Sequence, residues 1–348
     1  MKTIKHAIIT VGLGFFVIIV IILISRRPIY SIQASGKLVI VNKLSSSIII
    51  FNLKEGKRIS EIPVEIEPHE VISLKNKNEF AITNYGAPHV VGESISIVNA
   101  KTSQIEKTID LEKSPRPHGI TRALNSNNVV VVTDIGNELL VVNTQTGNIE
   151  KRISTEQELS HMVVLHPHKS LAYVTNINSG SVSVIDLDME KVIQIIYCGS
   201  GAEGIDITPD GRELWVTNSK ENTISVIDTR TNQVLELLKT GNEALRLKFS
   251  VDGKYCLVPN SKDGTIRVYN QKTKKQIKII NVPGKKNIID RILYHTPRPV
   301  GILMHPNGNY AFVANSNADK VEVIDMKTFE IVSKIGTERV PDGLAFME

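Results

Sequence analysis

Short apolar runs recur along this chain, and each of them ends in an asparagine or an aspartate. Residues 173–176 (YVTN) and 215–218 (WVTN) are two examples. The seven run-ending residues, called anchors below, are Asn42, Asn84, Asp134, Asn176, Asn218, Asn260 and Asn315. They are separated by 42, 50, 42, 42, 42 and 55 residues. A repeat in the low forties built from short strands is typical of a propeller blade.

A second alternating segment follows each anchor and also ends in Asn or Asp, as in residues 182–186 (VSVID). Alternation of Val or Ile with polar residues predicts a strand with one buried face. A third strand such as residues 191–196 (KVIQII) and a further innermost strand complete the unit. Each unit therefore has four strands, and we interpret the anchors as turn formers.

The two ends of the repeat complement each other. The first unit begins near Gly36 and opens on a second strand, residues 37–42, with no innermost strand before it. Residues 341–346 (PDGLAF) match the innermost strand of the other units. One blade is thus built from both ends, which closes the ring and removes its exposed edges. The predicted fold is an all-β, seven-bladed propeller over residues 36–348.

Residues 1–35 have a different character. Residues 7–25 contain no charge and are long enough to cross a bilayer as a helix. Arg26, Arg27 and Pro28 follow, and no good cleavage site is present. We expect an uncleaved signal anchor and a short linker, which makes a single-pass protein of the cell membrane with its propeller outside the cytoplasm. Secretion after signal cleavage is the alternative.

Charge and cysteine content narrow the function classes. Lys2, Lys5, Arg26 and Arg27 supply four of the five excess positive charges, which leaves one for residues 36–348. No basic run is present there, so a nucleic-acid partner is not expected. The two cysteines are far apart and predict buried thiols rather than a disulfide or a metal motif. Nucleophile-elbow, phosphate-loop, paired-cysteine and haem-attachment motifs are absent from the sequence.

The repeat resembles one known family. The segments 173–176 (YVTN), 182–186 (VSVID) and 209–211 (PDG) before 215–218 (WVTN) are similar to the YVTN-repeat, YncE-like seven-bladed propellers. The resemblance covers the chain after residue 36 and implies the propeller fold. Similar propellers include lactonases, cofactor-bearing oxidoreductase domains and surface-layer proteins, so the resemblance does not decide the activity.

Differences between blades at one equivalent position indicate a site. Counting back 15 residues from each anchor, or 16 in the third unit, gives the residue that enters the innermost strand. This inner position holds His69, His118, His161, Glu203, Leu245, Val300 and, from the closing strand, Asp342. Innermost strands surround the central channel, so three imidazoles and two carboxylates are expected at one mouth. Such a set suits a divalent or transition metal on His69, His118 and His161, or a polar ligand. Hydrogen bonds to a neighbouring blade are the structural alternative.

Other residues are expected near this mouth. The second unit carries an extra loop from Tyr85 to Gly92, and residues 282–298 form a long connection on the same face. Long loops are often functional. Arg116, Arg246 and Arg298 lie at or beside the inner position and could bind a carboxylate or a phosphate. Four other histidines are expected in solvated loops or turns, namely His89, His166, His168 and His305.

The sequence therefore leaves three functional hypotheses. The first is a membrane-anchored, extracytoplasmic propeller that binds a ligand or a protein partner through His69, His118, His161, Glu203, Asp342, Arg246 and Tyr85. The second is a metal-dependent hydrolase or lyase, lactonase-like in the sense that the family resemblance implies, with Glu203 or Asp342 as base. The third is a structural or adhesive surface protein. The identity of the ligand and the presence of enzymatic activity stay open at this point.

Overall fold

The computed structural model describes residues 30, 32–76, 78–123, 126–284 and 295–348. In this part of the chain no helix is long and apolar enough to span a bilayer. The predicted anchor at residues 7–25 lies outside the described residues, as does most of the long connection before Arg298.

The described chain folds into seven antiparallel sheets of four strands each. Blade 1 contains β1 (Lys37–Asn42), β2 (Ser47–Asn52) and β3 (Lys57–Pro63), with a short 3₁₀ helix at Lys43–Ser45. Blade 2 contains β4 (Pro68–Ser73), β5 (Glu79–Ala87), β6 (Val90–Asn99) and β7 (Gln104–Asp110). Blade 3 contains β8 (Pro117–Arg122), β9 (Asn128–Thr133), β10 (Glu138–Asn143) and β11 (Ile149–Ser154).

The later blades repeat this order. Blade 4 contains β12 (Ser160–Leu165), β13 (Leu171–Asn176), β14 (Ser181–Asp186) and β15 (Lys191–Tyr197). Blade 5 contains β16 (Ala202–Ile207), β17 (Glu213–Asn218), β18 (Thr223–Asp228) and β19 (Gln233–Lys239). Blade 6 contains β20 (Lys248–Phe249), β21 (Tyr255–Asn260), β22 (Thr265–Asn270) and β23 (Gln276–Asn281). Blade 7 contains β24 (Pro299–Met304), β25 (Tyr310–Asn315), β26 (Lys320–Asp325) and β27 (Glu330–Gly336), and β28 (Pro341–Met347) follows it.

The ring closes as the sequence predicts. Strand β28 pairs with β1, and the sheet has the order β28-β1-β2-β3. In this register Leu38 lies opposite Phe346, and Asn42 lies opposite Pro341. The last strand is therefore the innermost strand of the first blade. The all-β, seven-bladed prediction with four strands per blade is confirmed.

Blade packing follows from the burial pattern of the strands. The second strand of each blade, such as β17, is almost wholly buried, whereas the outer strands such as β19 are mostly exposed. Apolar side chains of adjacent blades interdigitate, and Trp215 of blade 5 packs with Phe249 and Tyr269 of blade 6. Cys198 and Cys256 are free, buried thiols, as expected. Burial raises the pKa of Cys198 to about 12, so this thiol is unreactive.

The anchors are not turn formers, and this interpretation was wrong. The Asn84 amide is buried and donates to Ser94 and Ser96 of the next strand, each at 2.9 Å. Asn218 bonds Thr223 and Ser225 at 3.0 Å in the same way. The turn role belongs instead to the residue that ends the third strand of a blade. Asn52, for example, accepts from the backbone N–H groups of residues 54 and 55 at 3.0 Å.

The third blade departs from the predicted alignment. Thr133, not Asp134, pairs with Pro117 and Glu138 at the position that asparagine occupies in other blades. Asp134 lies one residue further on, where the chain leaves the sheet at the channel mouth. This offset explains why the count to His118 needs 16 residues rather than 15. Asp134 is thereby released from the sheet and turns toward the next blade.

Two further expectations are corrected. Residues 85–92 form no loop but extend β5 and β6 into a longer hairpin, in which Gly86 pairs with Val91. His166 and His305 are buried rather than solvated. Each ring accepts a hydrogen bond at Nδ1 from the backbone N–H two residues later, at 3.0 and 3.1 Å, and so forms a turn. His89 and His168 are exposed, as predicted.

Candidate functional site

The inner position of every blade lies at one end of the central channel. His69, His118, His161 and Glu203 are the second residues of their strands, and so are Val300 and Asp342. Leu245 precedes β20, but Ala244 beside it pairs with Asn260, as the corresponding residues do in other blades. All seven side chains line one cavity of about 420 Å³. The structure thus brings the seven predicted inner-position residues together at one mouth.

Two local features hold neighbouring inner strands close. Thr83 and Thr175, the residues before anchors, donate to the carbonyls of His118 and Glu203 in the next blade, at 3.0 and 2.7 Å. Glycine follows the inner position in four blades, namely blades 1, 3, 5 and 7. A Cβ on Gly343 would lie only 2.5 Å from the His69 carbonyl oxygen, so this approach requires glycine.

The three histidines form a buried stack. The ring centroids of His69 and His118 lie 4.6 Å apart, and those of His118 and His161 lie 3.8 Å apart. Burial is the main cause that holds the pKa of His69 and of His118 well below the ordinary value, with smaller effects of nearby cations. Among the described residues, Nδ1 of both rings and Nε2 of His69 are buried without a hydrogen-bond partner. Burial thus favours the neutral form of both rings, and these three nitrogens are left without a protein partner.

Asp134 reaches this stack although it was not predicted as a site residue. Its carboxylate oxygens lie 3.2 and 3.3 Å from Nδ1 of His161. The Tyr85 hydroxyl donates to the same carboxylate at 3.0 Å. Such a network assigns the His161 proton to Nδ1 and leaves Nε2 for the cavity. Nε2 lies 3.7 Å from Glu203, too far for a hydrogen bond.

His69 and Asp342 approach each other without forming an ion pair. Nδ1 and Oδ2 are 3.3 Å apart, but the alignment does not make a hydrogen bond. Burial lowers the pKa of His69, while burial and Glu70 raise the pKa of Asp342 to about 6. A pKa near 6 leaves Asp342 mainly a carboxylate at pH 7 while burial keeps His69 uncharged, so the contact joins a carboxylate to a neutral ring.

An ion pair crosses the channel beneath the histidines. Arg246 of blade 6 donates to Glu70 of blade 2 at 2.8 Å, and its other nitrogen lies 4.0 Å from Glu203. Burial opposes the charge, but Glu70, Asp342 and Glu203 outweigh it and raise the pKa of Arg246. Arg246 therefore forms a charged floor to the cavity.

A second set of residues surrounds the mouth one step further out. The residue after each anchor position, called the rim position below, binds through its backbone N–H to the chain that enters the inner strand. Lys43, Tyr85 and Asp134 occupy it in blades 1 to 3, and serines occupy it in blades 5 to 7. Tyr85 packs on His69 and His118 at centroid distances of 4.3 and 5.5 Å, beside the cavity rather than on its wall.

The three arginines take different places. Arg246 and Arg298 line the cavity. Arg116 instead donates to the carbonyls of residues 85, 86 and 87, and so fixes the long hairpin of blade 2. Arg116 serves the structure and Glu70 engages Arg246, whereas Arg298 is the arginine most available to a ligand.

One group of side chains has the spacing of a metal site. The donor atoms of His118, Asp134 and His161 lie within 4.8 Å of one another, and all three residues are buried. Two imidazoles and a carboxylate form a donor set that zinc, copper, iron and manganese accept. The predicted donor His69 neighbours this group. Asp134 was missed because the anchor interpretation assigned it to the sheet.

The fold and this mouth define a class, the seven-bladed β-propeller with a polar, histidine-lined channel. Residues 122–239 match the model of the Cytochrome D1 heme domain family, a segment shorter than half of the chain. No curated protein sequence matches the chain.

Two solved structures share the fold. The hydrazine synthase of Kuenenia stuttgartiensis has a TM-score of 0.68 at 17% identity, over 80% of this chain and 89% of that one. A functionally unknown protein from Desulfotomaculum acetoxidans has a TM-score of 0.74 at 14% identity, over 90% and 99%.

The family match raises the question of whether the residues fit a haem. The mouth offers imidazole nitrogens for an axial bond. It offers no flat apolar slot, because the histidine rings stack on one another and the wall carries Lys43, Arg246, Glu203 and Asp342. The described residues fit a single metal ion better than a haem macrocycle.

Proposed function

We propose that this protein is a ligand-binding propeller whose channel mouth holds a transition-metal ion. His118 and His161 are the proposed donors, Asp134 orients His161 from beside the metal, and His69 is a further donor next to them. The observation that carries the proposal is the buried cluster of three imidazoles at the cavity wall, in which three nitrogens of His69 and His118 have no hydrogen-bond partner among the described residues. Buried polar atoms are normally satisfied, so such a cluster implies a ligand.

Formal charge supports a cation at this depth. Asp134, Glu70, Glu203 and Asp342 bring four carboxylates to the buried part of the channel, and Arg246 brings one guanidinium. A divalent ion would balance two of the three remaining negative charges. Unbalanced buried charge is costly, so this balance favours binding.

The chain's own residues have distinct tasks in such a site. Asp134 holds the His161 proton at Nδ1 and directs Nε2 toward the cavity, and Tyr85 orients Asp134. Burial keeps His118 in the neutral form that a metal requires. A bound metal would supply Lewis-acid polarisation of a ligand. Glu203, beside His161, is placed to accept a proton from that ligand.

Metal analysis of the full chain, purified in detergent without a histidine tag, tests the proposal. We expect near-stoichiometric metal in the parent protein and its loss in His118→Ala and His161→Ala. His168→Ala, which removes an exposed histidine away from the channel, is the matched control. Equal metal content in all four proteins, or none after loading with zinc, copper, iron, manganese and cobalt, would contradict the proposal. Haemin titration of the same samples tests the haem alternative, for which we expect no histidine-dependent spectral shift.

We further propose that residues 7–25 anchor the protein in the cell membrane, with the propeller outside the cytoplasm. The course of the linker supports a defined orientation. The Ser35 carbonyl accepts from His305, and Ile32 and Ala34 pack between blades 1 and 7. Strand β1 runs from this end to Asn42 at the mouth. The linker thus joins the face opposite the mouth, which would direct the histidines away from the bilayer.

Membrane fractionation with protease digestion of intact cells tests this orientation. We expect the chain in the membrane fraction and its propeller accessible from outside. Recovery from the medium would indicate cleavage, and protection in intact cells would contradict the orientation.

Kinship with the YVTN-repeat, YncE-like propellers remains part of the proposal, supported by the repeat itself. A hydrolase or lyase at the same mouth is a second candidate, because His161 and Glu203 lie 3.7 Å apart beside the proposed metal. An ester and lactone hydrolysis screen, with Glu203→Gln as its comparison, tests it. A purely structural or adhesive role would leave metal binding absent.

A further inference from the structure

The cavity is polarised from one side to the other. Imidazoles of blades 2, 3 and 4 form one wall. The side that blades 6, 7 and 1 form is called the outer wall below. It carries Arg298, at the start of blade 7, and Lys43 of blade 1, which lies where this wall meets the imidazole wall, near Glu67 and the Tyr85 ring. Arg246 lies at the floor. Cationic and metal-binding groups therefore face each other across about 420 Å³, which is room for a small molecule.

The two cations of the outer wall are only loosely engaged. Lys43 Nζ lies 3.6 Å from Glu67, and Arg298 Nη1 lies 3.7 Å from Glu243. Both distances exceed those of hydrogen bonds, and the side chains remain 26% and 44% exposed. Their N–H groups are available to an incoming acceptor. Arg246 differs, because Glu70 binds it at 2.8 Å.

Apolar side chains of the same wall accompany these cations. Leu245, Val300 and Val340 line the cavity, and the first two occupy the inner position that carries polar residues in the other blades. A purely inorganic anion would leave this surface without a partner. An organic molecule with a compact apolar body would cover it.

We propose, building on the function proposed above, that the mouth binds a small organic anion, a carboxylate or a phosphate ester. Its anionic group contacts Lys43 and Arg298, its apolar body lies on Leu245 and Val300, and its other end faces the imidazole wall.

Ligand-observed NMR titration of the full chain in detergent tests the inference with three matched probes. Benzoate and phenyl phosphate carry the two anionic groups, and benzamide is the neutral counterpart of benzoate. We expect at least one anion to bind about tenfold or more tightly than benzamide, because one charged hydrogen bond contributes that much. The stronger of the two anions identifies carboxylate or phosphate.

Variants of the outer wall decide whether the anion binds where we propose. Lys43→Met and Arg298→Gln are each expected to weaken anion binding about tenfold. Lys262→Met is the matched control, a lysine of the same face that lines only the neighbouring cavity. Equal binding of benzamide and the anions, or unchanged affinity in both variants, overturns the inference.

Metal content separates this inference from the function on which it rests. Both variants should keep the metal of the parent, which also shows that they fold. Each titration is repeated after chelation. Anion binding that survives chelation and is lost in the variants supports the inference even if no metal is bound. Metal binding without discrimination among the probes overturns the inference and leaves the metal proposal standing.

Discussion

The ion pair between Glu70 and Arg246 provides a direct test of how the ring is held together. These residues belong to blades 2 and 6, which are not neighbours, and they meet in the channel at 2.8 Å. Their side chains are 15% and 9% exposed. Glu70→Gln keeps the shape of the side chain and removes its charge, so it leaves a buried guanidinium with Glu203 at 4.0 Å as the nearest remaining carboxylate.

The expected loss is large for a single substitution. Breaking a buried pair by removing one partner costs about 3 to 5 kcal/mol, and the remaining Glu203 places Arg246 at the lower end, about 3 kcal/mol. An unfolding entropy of about 2.1 cal/mol/K per residue gives roughly 0.65 kcal/mol/K for the propeller. The melting temperature should therefore fall by about 5 °C.

Calorimetry of the chelated protein measures this loss, and Glu338→Gln is the matched control. Glu338 pairs with Arg58 at 2.7 Å, but both side chains are more than a third exposed. That control should lose less than about 1 kcal/mol, and high salt should reduce its loss further. Replacing both partners, with Glu70→Gln and Arg246→Met, should recover much of the stability. If Glu70→Gln loses no more than the control, Arg246 is not buried as a charge and the reasoning fails.

Two further predictions concern acid stability and strand spacing. Below pH 6.5 His69 and His118 bind protons in the unfolded chain but not when they are buried in the folded protein. The free energy of unfolding of the chelated protein should therefore fall by up to about 2.7 kcal/mol per pH unit. Asp342, with its pKa raised to about 6, takes up a proton in the folded state and should offset about half of this loss below pH 6. Urea unfolding from pH 7.5 to 5 measures the slope, Asp342→Asn should steepen it, and a flat profile would contradict neutral histidines. Gly343→Ala should destabilise the protein by about 2 kcal/mol or more in the same assay, because its Cβ would meet the His69 carbonyl. Gly336→Ala is the control, since its Cβ meets nothing within 4 Å and the substitution should be nearly neutral.

Most of the fold could be predicted because its signals are local and repeated. Alternation of apolar residues marks each strand, and the spacing of Asn176, Asn218 and Asn260 gives the blade period. The closing strand was predictable from a mismatch between the two chain ends. The role of the anchors was not predictable in this way. A buried asparagine that bonds across a hairpin and an exposed one that caps a turn have the same local sequence pattern, and only burial distinguishes them.

The candidate site was predicted in part for a related reason. The inner position lies at a nearly constant spacing before each anchor, so His69, His118 and His161 could be aligned by counting. Asp134 could not, because a one-residue shift in blade 3 places it outside the sheet. A signal was nevertheless present. If Thr133 is taken as the anchor position of the third blade, the residues that follow the anchors can be aligned. Lys43, Tyr85 and Asp134 then differ from the serines at the same position in later blades.

This difference between blades also bears on whether the mouth is functional. At the rim position of blades 6 and 7, Ser261 and Ser316 donate to carbonyls of the next blade, at 2.7 and 2.9 Å, and so help to close the ring. In blades 2 and 3 the corresponding side chains make no such bond, and Tyr85 and Asp134 point to each other and to His161 instead. Blades 4 and 5 lack the closing bond as well, because Ile177 has no hydroxyl and Ser219 donates to Gly201 of its own blade at 3.1 Å, so it is the polar network that distinguishes blades 2 and 3. The same blades carry buried, unpartnered imidazoles, which cost further stability. Local departures that weaken a fold are expected where function requires them, so their concentration in one sector of the mouth favours a binding site over a purely structural role.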